Sequence, residues 1–320
     1  MRAQRGRHMS RYATISTIGM RSEHGASDAK YEQILQACVN RLQREIEQVL
    51  PNQPDLIVIP EFCDHPFQLE GSVPKALEYY GVRGEAVRDF LSGIARENGC
   101  YITYPAFTEA EGVRTNSIQM IDRSGNVVGK YDKSHVTIGE MEEYDIRCGA
   151  GASVIECDFG RVGCAICFDL NFDELRLRYS ELKPDLLIFS SMYHGGIMQR
   201  YWAYSCRAHF VGAVWNDESA ILSPTGEMIA SSSNYFNFTS ERLNFDCALA
   251  HLDFNGDRLK SLKAKCGAGV TIHAPDHLGS VLITNEMGGC TVGDLIREFE
   301  IERLDEYFAR ARAMQKKYRL

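Results

Sequence analysis

Along residues 12–250, short apolar runs alternate with stretches whose apolar positions recur at helical spacing. Residues 12–18, 55–60 and 100–107 read as strands, the second of them a continuous apolar run. Between them, residues 31–50 carry Ile34, Leu35, Cys38, Leu42, Ile46 and Val49 on one stripe. Residues 84–98 carry Val87, Phe90, Leu91 and Ile94 on another, and Gly99 follows as a helix-closing residue. Residues 116–122 and 127–132 flank Arg123-Ser124-Gly125-Asn126, a hairpin signal. Further on, 160–166 reads as a strand, 173–181 as a short helix and 185–190 as a buried strand. A helix over 196–209 and a strand over 211–216 follow. A second hairpin turns at Pro224-Thr225-Gly226, and 243–252 reads as one long strand. Many strands, some in hairpins, with few helices predict two sheets packed face to face with helices outside.

No linker-like stretch interrupts this pattern, so residues 11–253 read as one domain. Residues 254–320 form an extension. Its segment 266–290 is rich in glycine and has no clear period, so no element is assigned there. Residues 291–317 read as one long helix with Val292, Leu295, Ile296, Phe299, Leu304 and Phe308 on one side and a basic end. That apolar side needs a cover, either its own domain or a second copy of the chain. A homodimer or larger homo-oligomer, with the tail at its interface, is the expectation.

At 320 residues and 36.0 kDa the chain can fill one large α/β domain or two small ones. A formal charge of −8 argues against a general nucleic-acid binder, which needs clustered positive charge. No apolar run approaches the ~18 residues of a membrane-spanning helix. The first ten residues are basic and polar without an apolar centre, unlike a secretory leader, and are set aside from the fold. Eleven cysteines, an odd number without framework spacing, read as free thiols of a reducing cytoplasm.

The chemistry concentrates at the ends of three strands. Gly160-Arg161-Val162-Gly163-Cys164-Ala165-Ile166 is an apolar run that ends in Cys167, with polar residues and a helix start directly after it. A rigid strand followed by a sharp bend is how a chain presents a nucleophilic thiol. Glu61 ends the run 55–61, and Lys133 ends the run 127–133. Cys164 and Cys167 form a C-x-x-C, but in a strand positions i and i+3 face opposite ways, and no second pair exists for a zinc site. A cysteine peptidase would need a histidine base. His135 and His194 are candidates, though neither follows a peptidase signature.

These residues resemble the nitrilase, or carbon–nitrogen hydrolase, superfamily. The resemblance runs from about Tyr12 to Leu252 through Ile59-Pro60-Glu61, Asn116-Ser117, the stretch from Gly125 to His135, and that from Gly160 to Tyr179. Trp202, Arg207-Ala208 and Ser223-Pro224-Thr225-Gly226 continue it. Order and spacing carry the likeness: 72 residues from Glu61 to Lys133, then 34 to Cys167. It implies an αββα sandwich with a Glu61-Lys133-Cys167 triad and no cofactor or metal. Cys167 would form a thioester, Glu61 would carry protons and activate water, and Lys133 with the Phe168 N–H would hold the oxyanion. The family often has a second glutamate behind the lysine. Counting back from Gly149, Glu142 aligns best, Glu140 is second, and Glu143 also lies in range. Asn171, Met192, Tyr193 and His194 are pocket candidates.

Phe168-Asp169, where true nitrilases commonly carry Trp-Glu, is closer to the amidase-like branches, and Asp132, Asn171 and Arg207-Ala208-His209-Phe210 also depart from the family's pattern. The expected function is hydrolysis of a small amide or N-carbamoyl compound. A nitrile hydrolase and a catalytically silent scaffold are the alternatives.

Overall fold

The computed structural model describes residues 11–22, 29–69 and 71–319; the segment 1–10, set aside above, lies outside them. The described residues fall into two compact units: Ala13–Arg242, and Leu243 onward together with Arg11 and Tyr12.

In the larger unit the strands are β1 (Tyr12–Ile18), β2 (Leu56–Val58), β3 (Tyr101–Ala110), β4 (Val113–Ile121), β5 (Val127–Asp132), β6 (Val154–Cys157), β7 (Gly160–Ile166), β8 (Leu186–Ser191), β9 (His209–Val214), β10 (Ala220–Leu222), β11 (Met228–Ser231) and β12 (Phe238–Asn244). Its helices are α1 (Tyr31–Glu47), α2 (Val73–Arg83), α3 (Ala86–Asn98), α4 (Ile138–Tyr144), α5 (Asp173–Leu182) and α6 (Ile197–Cys206). They build two six-stranded sheets, β12-β1-β2-β3-β4-β5 and β11-β10-β9-β8-β7-β6. Each has a parallel centre, β1-β2-β3 or β7-β8-β9; antiparallel β4 and β5 extend the first, and antiparallel β6, β10 and β11 flank the second. The apolar stripes of α1 and α3 bury Cys38, Leu42, Ile46, Val87 and Leu91 against the first sheet. Leu175, Tyr179, Trp202 and Ala203 from α5 and α6 cover the second. Between the sheets, the Ser190 hydroxyl donates to Ile59 O at 2.8 Å. The architecture is the expected αββα sandwich.

Close approach explains one glycine near the chemistry. A Cβ at Gly163 would lie 2.7 Å from the Tyr179 ring and 2.9 Å from Leu187, so its absence lets α5 sit tightly on β7.

The smaller unit holds β13 (Cys247–His251), β14 (Val270–His273) and β15 (Ser280–Asn285) in the order β13-β15-β14, with α7 (Gly256–Cys266), α8 (Val292–Glu298) and α9 (Leu304–Lys317). Three expectations change here. The single strand over 243–252 breaks at Phe245-Asp246, because the Asp246 carboxylate turns to accept the Val292 N–H at 3.0 Å and the Asn285 amide at 2.8 Å. The unassigned segment 266–290 contains two strands. The long tail helix is two helices: Glu300 adopts φ 52, and buried Asn255 holds the break by bonding Glu302 N and Glu302 O, each at 3.0 Å. Much of the tail's apolar side is covered within its own unit, where Val292, Leu295, Ile296 and Ile301 share a core with Leu262 and Ile283. An uncovered stripe therefore no longer calls for a partner subunit.

Candidate active site

Three C-terminal strand ends meet in the larger unit. Glu61 lies just past β2, Lys133 directly after β5, and Cys167 directly after β7; β2 and β7 belong to the parallel centres, whose strand ends are where α/β folds place their ligands. Lys133 is pinned by backbone on both sides. Its N–H donates to Asn116 O at 2.8 Å, and its carbonyl accepts the Gly149 N–H at 2.8 Å. A Cβ at Gly149 would sit 2.1 Å from Asp132 O, so only glycine allows this approach.

Cys167 has φ 46, a left-handed conformation that costs an ordinary residue about 1–3 kcal/mol and persists where its surroundings hold it. Those surroundings centre on Asp169, which is fully buried. Its carboxylate accepts the Ile166 N–H at 2.9 Å, the Tyr131 hydroxyl at 2.8 Å and the His135 N–H at 2.7 Å. The Trp202 indole donates to Leu170 O at 3.1 Å. The predicted bend is thus real, and a carboxylate two residues past the cysteine clamps it.

The Lys133 ammonium donates to Glu61 Oε1 at 2.9 Å and to both oxygens of Glu140, at 3.0 and 2.8 Å. Glu142 was the better-aligned partner in the sequence, and the structure replaces it with Glu140. Thr137 caps α4, and its N–H and hydroxyl, both at 2.9 Å, hold the Glu140 carboxylate toward Lys133. Two residues further along this helix, Glu142 is exposed, as is Glu143. Asn116 completes the group by donating to Glu61 Oε1 at 2.7 Å and Glu140 Oε1 at 2.8 Å. The other Glu61 oxygen accepts the Met192 N–H at 3.1 Å, and Glu61 O accepts the Trp215 indole N–H at 2.5 Å.

Two carboxylates thus surround one ammonium, nearly out of water. Burial raises the Glu61 pKa, and Glu140 adds to the rise, against the pull of Lys133 and Asn116. Burial alone would lower the Lys133 pKa, but Glu61 and Glu140 carry it above its ordinary value. Burial would likewise raise Glu140, yet Lys133 keeps it below the usual range. The Cys167 thiol is pushed up to about 12 by burial and by the Glu61 charge; Lys133 and hydrogen bonds from the Met192 backbone and the Ser191 side chain only partly oppose this. The resting sulfur is therefore a thiol, and its proton needs an acceptor at the moment of attack.

A cavity of about 310 Å³ adjoins this group and shares Glu140 and Met192 with it. Of the four pocket candidates, only Met192 lines it. Tyr193 lies near Cys167, and Asn171 donates to its hydroxyl at 3.1 Å. His194 turns away toward Glu218, 4.0 Å distant. His135 stacks on Phe172 at 3.9 Å with Nδ1 3.2 Å from Asp169, which makes it part of the clamp. The Phe168 side chain is partly exposed, edge-on to Phe172. The sequence reading gave Asn116, Asp169, Ser191 and Trp215 no place in the site; Asn116-Ser117, part of the resemblance, was the visible signal.

The family model for carbon–nitrogen hydrolases matches residues 15–235. The chain belongs to the carbon–nitrogen hydrolase family. All three strand ends lie inside the matched stretch. Among curated proteins, the chain is 24% identical over 224 residues to a chloroplastic omega-amidase of Arabidopsis thaliana, covering 61% of this chain and 60% of that one. It is 34% identical over 87 residues to the N-carbamoylputrescine amidase of Solanum lycopersicum, covering 26% and 29%. The matches thus span only part of these relatives' length. A carbon–nitrogen hydrolase from Helicobacter pylori shares the fold, with a TM-score of 0.63 at 15% identity over 80% of this chain and 93% of that one.

Proposed function

We propose that this carbon–nitrogen hydrolase is an amidase that cleaves the C–N bond of a small amide or N-carbamoyl compound through a thioester on Cys167. The observation that carries the reading is the buried Glu61-Lys133-Glu140 group beside a thiol held at a strained bend. Glu61, with its raised pKa, takes the thiol proton as sulfur attacks the carbonyl carbon. The Lys133 ammonium and the Phe168 N–H stabilise the oxyanion. Collapse of the tetrahedral species breaks the C–N bond, and the proton held by Glu61 goes to the departing nitrogen. Glu61 then activates water against the thioester, which releases the acid and restores the thiol. Glu140 holds Lys133 charged and in place throughout. The high thiol pKa favours this concerted proton removal over a standing thiolate. The two relatives' names fit amide and carbamoyl substrates.

The test is ammonia release from a panel of small amides, carbamoyl compounds and nitriles, with mass spectrometry of the protein during turnover. An acyl adduct on Cys167 with an amide or carbamoyl substrate is the expected result. Turnover of nitriles alone, or an adduct elsewhere, would overturn it.

A further inference from the structure

Building on the amidase reading, we propose that the cavity beside the triad receives an uncharged, apolar group of the substrate, so that the preferred amide carries an aryl or bulky alkyl substituent. Its position supports this. Glu140 and Met192 belong to both the cavity wall and the polar group, so a ligand there lies beside the residues that bond Lys133 and Glu61. Its size supports it too: an apolar cavity of about 150 Å³ is enough for benzene, and this one is about 310 Å³.

The wall is aromatic and rigid. Phe62, Phe67, Tyr80, Phe107 and Tyr144 supply most of it. Tyr80 and Phe107 stack face to face at 4.4 Å, and Phe67 meets the Trp215 ring edge-on at 4.9 Å. Phe62 follows Glu61 with φ 51, so a second strained residue sits in this wall, adjacent to the proposed base.

The charge pattern decides against ionic substrates. Among the described residues, no lysine or arginine lines the cavity. Its carboxylate, Glu140, is already engaged by Lys133, Asn116 and Thr137. His65 Nδ1 and the Tyr80 hydroxyl share a hydrogen bond of 2.7 Å, and burial pushes the His65 pKa down to about 4, so it is neutral. A substrate carboxylate would enter apolar surroundings facing Glu140 with no cation to pair it. A substrate ammonium would find Glu140, the acidic wall group among the described residues, already engaged, with Lys133 behind it.

The experiment compares kcat/KM for phenylacetamide, succinamate and N-carbamoylputrescine in the intact chain and in two variants at half-buried Tyr144. We expect phenylacetamide to exceed both charged substrates by about 100-fold or more. Tyr144→Arg should shrink that margin at least tenfold and raise succinamate turnover, while Tyr144→Leu, which keeps the wall apolar, should retain it. Equal or better turnover of a charged substrate by the intact chain would overturn the proposal and leave the amidase reading standing. If no amide or carbamoyl compound turns over, the amidase reading fails, and calorimetry on the Cys167→Ala chain judges the cavity alone. Binding of phenylacetamide but not succinamate upholds it, and absence of phenylacetamide binding overturns it.

Discussion

The segment after β2 carries two buried carboxylates three residues apart, and they end in opposite situations. Glu61 shares Lys133 with Glu140, so its ion pair has an excess of negative charge and lies beside a thiol. Asp64 faces Arg83 at 2.8 Å and accepts the Tyr104 hydroxyl at 2.6 Å, while Arg83 also donates to Phe107 O and Gly84 O. Both pairs are buried and at hydrogen-bond distance. In one, burial and then a second carboxylate sharing the cation raise the pKa of Glu61; in the other, the cation also donates to two backbone carbonyls. On the proposed mechanism, burial and pairing alone do not set the base apart from Asp64; charge imbalance beside the thiol does.

That contrast can be broken at four points. The largest effect is expected from Cys167→Ala, which should lower kcat on the order of 10⁶-fold with unchanged thermal unfolding. Residual turnover near the level of the intact chain would remove the nucleophile from the site. Glu61→Gln keeps the shape but cannot accept a proton, and should lower kcat by about 10²–10⁴-fold in stopped-flow and steady-state assays. Asp64→Asn should do the reverse: leaving Arg83 buried and unpaired costs about 3–5 kcal/mol in denaturant unfolding, while the folded fraction keeps kcat within about tenfold. A large loss of kcat with intact stability would erase the distinction between the two carboxylates.

The finest probe is the pH–rate profile. Glu61 must be ionised to act as a base, and its pKa is raised, so the acid limb of kcat/KM should lie above the ordinary glutamate value of about 4.3. Glu140 contributes to that rise by repulsion, so Glu140→Gln should move the limb to lower pH as well as slow the reaction. A limb that stays in place would show that the two carboxylates are not coupled.

How much of this was legible beforehand depended on how local the information was. The three strand ends, both hairpins and the bend at Cys167 follow from runs of neighbouring residues. α2 was missed because its buried face consists of Ala76, Tyr79, Tyr80 and Arg83, which does not read as an apolar stripe. Glu140 lost to Glu142 in a count along the chain because that count ignored the cap at Thr137, which aims one glutamate inward. The tail helix looked continuous because nothing in its own sequence shows the grip of Asn255 on Glu302.

By itself, the sequence determined the two-sheet sandwich, the family and which three residues end the strands, since alternation, turn residues and motif spacing act between near neighbours. Only the tertiary structure decided which glutamate braces Lys133 and that Asn116 joins the two carboxylates. It also decided that residues as far apart in the chain as Phe62, Phe107, Tyr144 and Met192 line one apolar cavity. Those outcomes depend on contacts between segments far apart in the chain, whose geometry is set by how sheets and helices pack rather than by any local pattern.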